Sequence, residues 1–591
     1  MNQFDHIFKT KLESWTPLGR GFHDFFPDED IEKIRQADRT FDGASRTIIF
    51  VVFENKYASL GGLAAIADSM PQFIQQSGEP IAFFSPYHCN NKKIREAGAQ
   101  GRFTTLFKEI DFSSGAYSGK VCCLQDSTAK IPSYYCAIDG HFLPPEDPYH
   151  YSDPSLLAID ALVFCAALPA VFKKLGLTKN LLIHAHDWET AALALTSKMA
   201  LLDKQLSSAK TILTLHNSYD AHLPKSLAQR FFGHATAAET FLQMFIPLLS
   251  GPLTTVSTPF AHELLHDPLQ RGVFTPHLQA VFSKNPPIGV ENGAFTDHTA
   301  PFSEPALLKC EHGDFSMALA EKNITRRGLF DRLQSCRDPR ALGEMKLNGG
   351  DAAAPVFFMS GRLDFMQKGF DAVIRAFQRL LRGKAKLLFC PNISGALPAD
   401  VDDFISEALR NCKGDMVIWP FPISSREYFD LLGGASFMVM PSLYEPFGCA
   451  TEAFAAGTPV VARATGGLWA QVRPCNNIRI PAFYRNILQY SGTPKEPTGI
   501  LFREEFPDLS AEEAWKTFVT LPLCRRCESP LYESIVESAA SALRTAIDVY
   551  ANPTRYGALV YNAAASTAGF SWTDTIGNYR KVYDKTSLNS I

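Results

Sequence analysis

Neither sign of charge dominates this sequence. Its 57 lysines and arginines stand against 61 aspartates and glutamates, a net charge of −4, with no long run of either sign. That balance argues against nucleic acid or an anionic membrane as the main partner. The opening MNQFDHIFKTKLESW lacks the apolar stretch of a signal peptide, and no apolar run looks long enough to cross a bilayer, so a cytoplasmic protein is expected. Paired cysteine patterns are equally scarce. The 13 cysteines are scattered, several inside apolar runs such as VFCAAL and KLLFC, and read as buried thiols of a reducing compartment. Only Cys524 and Cys527 form a CxxC, in LPLCRRCES, with no second pair nearby to complete a structural zinc site.

What is present is ample apolar material, 46% of 591 residues, too much chain for one core. Residues 1–45 carry no strong period and read as an extension. From IIFVVFE onward, strands that are apolar throughout alternate with helices: IAFFSP, then a helix over Tyr151–Lys174, then LLIHAH, WETAALALTSKMALL and TILTLHN. Such alternation predicts a parallel sheet covered on both faces. It restarts after an irregular stretch at Asn348–Pro355, a candidate linker, with VFFMSG, GFDAVIRAFQRLL, AKLLFCP, DMVIWP, FMVMPS, ATEAFAAG and TPVVAR. The expectation is α/β, with two Rossmann-like doubly wound domains over 46–350 and 351–565. An insertion is expected at about 475–528. Ligands of such sheets bind at the carboxyl ends of the strands.

Polar groups gather at those strand ends. LLIHAH runs into Asp187, which as a helix cap would satisfy the first amides of the next helix. TILTLHN ends on His216, for which a satisfied structural histidine is the plain alternative. In FFMSGRLDFMQKGFDAV a strand enters a turn bearing Arg362 and Lys368 just before a helix. Two cations beside a helix N-terminus suit a diphosphate, although a solvated turn with Asp364 as partner would look the same. PSLYEPFG sets Glu445 on a Pro/Gly turn, Glu452 lies one helix later, and TGGL could bring amides near a phosphate. His262, Glu263 and His266 spell HELLH, the zinc-protease pattern, but Asp267-Pro268 ends the helix at once and no third ligand follows.

The order of these pieces resembles the glycogen and starch synthases, retaining glycosyltransferases of the GT-B type. This resemblance implies two domains facing across an inter-domain cleft, with 566–591 as a helix packing back on the first domain. LGGLAAIADSMP, HAHDW, TLHN, TTVSTPFAHEL, VENGAF, GRLDFMQKG, PSLYEPFG, TGGL and the C-terminal FSWTDTIGNYRKVY all fall where that family has its motifs. The resemblance implies that glucose passes from ADP- or UDP-glucose to the non-reducing end of an α-1,4-glucan, with retention and with no cofactor or metal. It implies that Asp187 and His216 line the sugar pocket and that Arg362 and Lys368 neutralise the leaving diphosphate. Glu445 would bond glucose hydroxyls. Gly61 and Gly62 would pass close to the phosphates, with Phe447, Gly448, Thr465, Gly466 and Gly467 also on the donor. Trp419 or Phe421 would stack on the base. Three positions depart from the pattern. Ser59 stands where prokaryotic and plant members have lysine, so that Lys56 is a candidate substitute. Arg362 and Lys368 are six apart, as in fungal and animal enzymes, and Glu452 lies seven after Glu445 instead of eight. Alternatives are a related enzyme with a sucrose- or trehalose-type acceptor, a glucan phosphorylase, or an inactive glucan-binding protein.

Overall fold

A computed structural model describes all residues except 1–3, 18–19, 235–236, 296–299, 348–352, 394–396, 489–495, 507 and 590–591. The chain forms two compact units, each assembled from three stretches. The first comprises His6–Val256, Phe274–Phe295 and Trp572–Ile591; the second comprises Met1–Asp5, Ser257–Val273 and Thr296–Ser571.

The first unit holds a nine-stranded sheet. Its strands are β1 (Thr47–Val51), β2 (Ile81–Pro86), β3 (Phe103–Ser114), β4 (Tyr117–Asp126), β5 (Ser133–Ile138), β6 (Leu181–His186), β7 (Ala209–Leu215), β8 (Leu253–Thr255) and β9 (Ile288–Gly289). They lie in the order β3-β4-β5-β2-β1-β6-β7-β8-β9. All neighbours are parallel except the β3–β4–β5 edge, whose antiparallel pairing the sequence reading did not anticipate. Because β1 pairs with β2 on one side and β6 on the other, the winding reverses between β1 and β6. Residues just beyond those two strands therefore flank the crevice where open α/β sheets bind ligands.

Residues 1–45, read as an extension, carry helices Asp5–Ser14 and Asp28–Arg39, which bury Phe8, Leu12, Ile31 and Ile34. Their apolar spacing is short and broken by charge, which hides the period. Helix Pro154–Lys174 is, by length and composition, apolar enough to cross a membrane, and 72% of its most apolar window is buried inside the protein. It is a core helix, packed on the sheet. The carboxyl-terminal helix Trp572–Leu588 docks on this unit, with Trp572, Ile576, Tyr579, Val582 and Tyr583 in the same apolar cluster as Phe8, Ile48 and Phe50. Lys210 of β7 reaches its end, donating to the carbonyls of Thr586, Ser587 and Asn589 at 3.1, 3.2 and 2.5 Å.

The second unit holds β10 (Leu342–Met345), β11 (Val356–Arg362), β12 (Lys386–Asn392), β13 (Asp415–Ile418), β14 (Phe437–Met440), β15 (Val460–Arg463) and β16 (Gly499–Phe502), in the order β10-β13-β12-β11-β14-β15-β16. Only β10 is antiparallel to its neighbour. The winding reverses between β11 and β14. The stretch read as an insertion supplies β16, the outer strand of this sheet. Its four apolar residues, GILF, are too few to stand out between turn-rich segments. Most of the candidate linker at 348–355 lies outside the described residues. Helix Thr258–His266, far earlier in the chain, also belongs to this unit.

Candidate active site

In the first unit the crevice between β1 and β6 is lined by acids. Glu54 follows β1, and its Oε1 accepts from the backbone N–H of Leu60 and Gly61, both at 2.8 Å, and of Ala64 at 3.3 Å. The Tyr149 hydroxyl donates to Oε2 at 3.2 Å. The chain's own carboxylate thus fills the amide nest at the start of helix Gly62–Gln76. Burial pushes Glu54 upward in pKa, against the pull of those amides. A Cβ at Gly61 or Gly62 would meet nothing within 4 Å, and neither has positive φ, so neither packing nor backbone geometry demands glycine there. Lys56, the candidate substitute for the missing lysine, is paired with Asp126 at 3.1 Å.

Asp187 follows β6 with φ 60 and ψ 176, a region almost reserved for glycine. Its side chain caps no helix, which corrects the capping reading. It reaches across to β7's end, accepting from the His216 N–H at 2.6 Å and the Asn217 side-chain amide at 3.2 Å. Burial pushes this carboxyl up to about 7, and the neighbouring Glu54 adds to the rise. Glu189, two residues on, is driven well above the usual range by burial and by Asp187. The His216 Nε2 lies 2.8 Å from His186 Nδ1, while its Nδ1 is buried without a hydrogen-bond partner. Burial holds His216 down to about 3, so the imidazole is neutral. One nitrogen is satisfied structurally; the other is not.

In the second unit, Arg362 ends β11 and Lys368 closes the following turn. The turn is tied by Asp364, whose side chain accepts from the N–H of Met366 and Gln367 at 3.0 Å each. Arg362 Nη2 donates to Gln367 Oε1 at 2.5 Å and lies 3.6 Å from Asp364. Lys368 Nζ donates to Glu445 Oε2 at 2.6 Å, and the Ser442 hydroxyl donates to the same oxygen at 2.8 Å. Burial alone would lower the Lys368 pKa, but the Glu445 carboxylate outweighs it and holds the ammonium above its ordinary value. Glu445 sits on the turn after β14, so the β11 cations and the β14 carboxylate meet at the reversal point of this sheet.

The Glu445 loop and the 465–467 turn interlock. The Gly467 N–H donates to the Glu445 carbonyl at 2.9 Å. Gly466 has φ 46, and a Cβ there would lie 1.9 Å from that same carbonyl oxygen; one at Gly467 would lie 2.1 Å from the Phe447 carbonyl. Gly448, at φ 87, likewise needs the left-handed region. Glu452 points elsewhere, accepting from the Tyr428 hydroxyl at 3.0 Å.

Known proteins now bear on these two crevices. The starch synthase catalytic domain family matches residues 47–279, and a family described as "Family 4 Glycosyltransferase in conflict systems" matches 338–476. "Glycogen synthase 2" of Geobacter metallireducens is 24% identical over 478 residues, covering 78% of this chain and 87% of that protein. The glycogen synthase of Oceanobacillus iheyensis is 23% identical over 578 residues, covering 92% and 99%. Residues 47–279 thus resemble the starch synthase catalytic domain, and most of the chain aligns with glycogen synthases. Among solved structures, the catalytic domain of starch synthase IV from Arabidopsis thaliana, bound to ADP and acarbose, shares the fold. Its TM-score is 0.66 at 17% identity, covering 92% of this chain and 99% of that one.

Among the described residues no group of three or more His, Cys, Asp or Glu could hold a metal, and the HELLH side chains are engaged elsewhere. The His262 ring bonds the Phe483 carbonyl, and Glu263 bonds the 465–467 turn. Cys524 and Cys527 are free thiols on and beside the short helix Leu523–Arg526. The two rings expected to stack on a base pack against each other and against arginines. Trp419 is 1% exposed, stacked on Phe421 at 5.6 Å and covered by Arg332 at 5.2 Å, while Arg340 lies over Phe421. Glu54, Ser442 and Glu263 were missed. Glu54 carried a signal, an acid closing an apolar strand; Glu263 was legible only as a false zinc motif.

Proposed function

We propose that this chain transfers glucose from ADP- or UDP-glucose to the non-reducing end of an α-1,4-glucan with retention at the anomeric carbon. The carrying observation is the part-buried Lys368–Glu445 pair at 2.6 Å, with Lys368 on the same turn as Arg362, at the reversal point of the second sheet. Breaking the sugar–phosphate bond builds negative charge on the leaving diphosphate. A guanidinium and an ammonium already fixed by Gln367, Asp364 and Glu445 meet that charge with little reorganisation. Glu445 keeps lone pairs for glucose hydroxyls. Asp187 and His216 stand at the reversal point of the first sheet, where His216 is neutral with its Nδ1 unengaged. The open space over Gly61 and Gly62 suits close approach of a phosphate.

No serine or cysteine nucleophile with an adjacent base is needed: proximity and charge stabilisation carry the rate, with same-face attack by the acceptor hydroxyl. Release of nucleoside diphosphate is the test, measured across ADP- and UDP-sugars with glycogen, sucrose-type acceptors or none. Glycogen-dependent release supports the reading. Release only with a small acceptor, or none with any donor, refutes it.

A further inference from the structure

The acid of HELLH has a use that the zinc pattern concealed. Glu263 is fully buried on helix Thr258–His266. Its Oε1 accepts from the Thr465 hydroxyl at 2.9 Å, from the Gly466 N–H at 2.8 Å, and from the Tyr484 hydroxyl. The helix is itself anchored to the Glu445 loop, because Ser257, its capping residue, donates to the Pro446 carbonyl at 2.6 Å. The 465–467 turn is therefore gripped from one side by Glu263 and from the other by the Glu445 carbonyl, which takes the Gly467 N–H.

We propose that Glu263 is a positioning residue for the nucleotide-sugar site, fixing the 465–467 turn and, through it, the loop that presents Glu445. This role rests on the proposed glucosyl transfer. Four groups on neighbouring elements bear on its charge: Asp267 one turn on, Arg503 of the segment after β16, and Thr465 and Tyr484, which donate to it. Arg503 is itself divided between Asp267 at 2.8 Å and Glu504 at 3.0 Å. His262 and His266 flank Glu263 on its own helix. Burial pushes the Glu263 carboxyl up to about 8; Asp267 adds to the rise and Arg503 opposes it. Glu263 Oε2 has no hydrogen-bond partner. An uncharged acid can hold the turn without setting an anion behind a phosphate; once ionised, it repels the diphosphate.

The test is the donor KM against pH for the full-length protein and for Glu263→Gln and Glu263→Ala. The wild type should lose donor affinity about threefold or more between pH 7.5 and pH 9, as a group of pKa near 8 ionises. Glu263→Gln keeps the acceptor oxygen and cannot ionise, so it should match the wild type at pH 7 and lack the alkaline rise. Glu263→Ala should raise the donor KM about tenfold at every pH, and Gln rescues it. A purely structural role would lower the melting temperature of the alanine variant but leave the pH dependence of KM in place. An identical alkaline rise in Glu263→Gln overturns the proposal, and so does an unchanged donor KM in Glu263→Ala. Should the alanine variant not fold, the glutamine profile alone decides. Wild-type protein that releases no nucleoside diphosphate refutes the transfer reading, and this role falls with it.

Discussion

Replacing Lys368 by methionine keeps the stem and removes the ammonium. In the folded protein this strands the Glu445 carboxylate, whose Oε2 retains only the Ser442 hydroxyl at 2.8 Å. Breaking a buried pair costs roughly 3–5 kcal/mol when nothing else serves the survivor. Here the lysine side chain is 22% exposed and the glutamate 10%, so water reaches the vacated site and about 2–3 kcal/mol is expected. For a unit of this size that lowers the melting temperature by about 5–10 °C. The turnover should suffer more. Removing one preorganised donor of positive charge from a site of developing negative charge costs about 10²–10³ in kcat. The assay is glycogen-dependent release of nucleoside diphosphate at saturating donor and 25 °C, beside a thermal melt of the same sample. Adding Glu445→Gln to the methionine variant should recover part of the lost stability, since no charge is left unpaired, and none of the activity. A methionine variant with wild-type kcat, or a double variant that regains turnover, refutes the electrostatic assignment.

Other expectations follow from single contacts. Gly466→Ala places a Cβ 1.9 Å from the Glu445 carbonyl at φ 46 and should cost stability by about 2–4 kcal/mol. Gly62→Ala meets open space, so its melt should be unchanged or slightly higher while the donor KM rises. An acid such as Asp187, with a native pKa of about 7, holds a proton that the unfolded chain, at about 3.9, has already released. Its contribution to stability is therefore full below about pH 4 and is lost as pH rises toward 7. Asp187→Asn should flatten the decline in urea midpoint between pH 5 and pH 7 that is expected of the wild type. Lys210→Ala frees three carbonyls at the end of helix Trp572–Leu588. Limited proteolysis should then clip the carboxyl terminus faster, with a stability loss of about 1–3 kcal/mol.

The parallel strands were legible because they are buried on both faces and read as unbroken apolar runs: LLIHAH is β6 to the residue. The charged turn with Arg362 and Lys368 was legible because cations at a strand end serve no packing purpose. Long-range pairings left no local trace. Nothing near Glu263 names Thr465, some two hundred residues later, and nothing near Asp187 shows that its carboxylate serves the His216 amide instead of a cap. β16 and the amino-terminal helices were obscured by brevity and by charges interleaved with their apolar positions. Composition likewise left unseen that Arg332 and Arg340 lie over the rings of Trp419 and Phe421.

Helix Thr258–His266 lies in the middle of the chain yet is built into the carboxyl-terminal sheet's surroundings, holding Thr465 through Glu263 and Arg503 through Asp267. No single scission can therefore release either half intact. A fragment beginning near residue 350 would leave Arg503 without Asp267 and the TGG turn without its acceptor, and attempts to graft the sugar-nucleotide half onto another scaffold must carry residues 257–273 along.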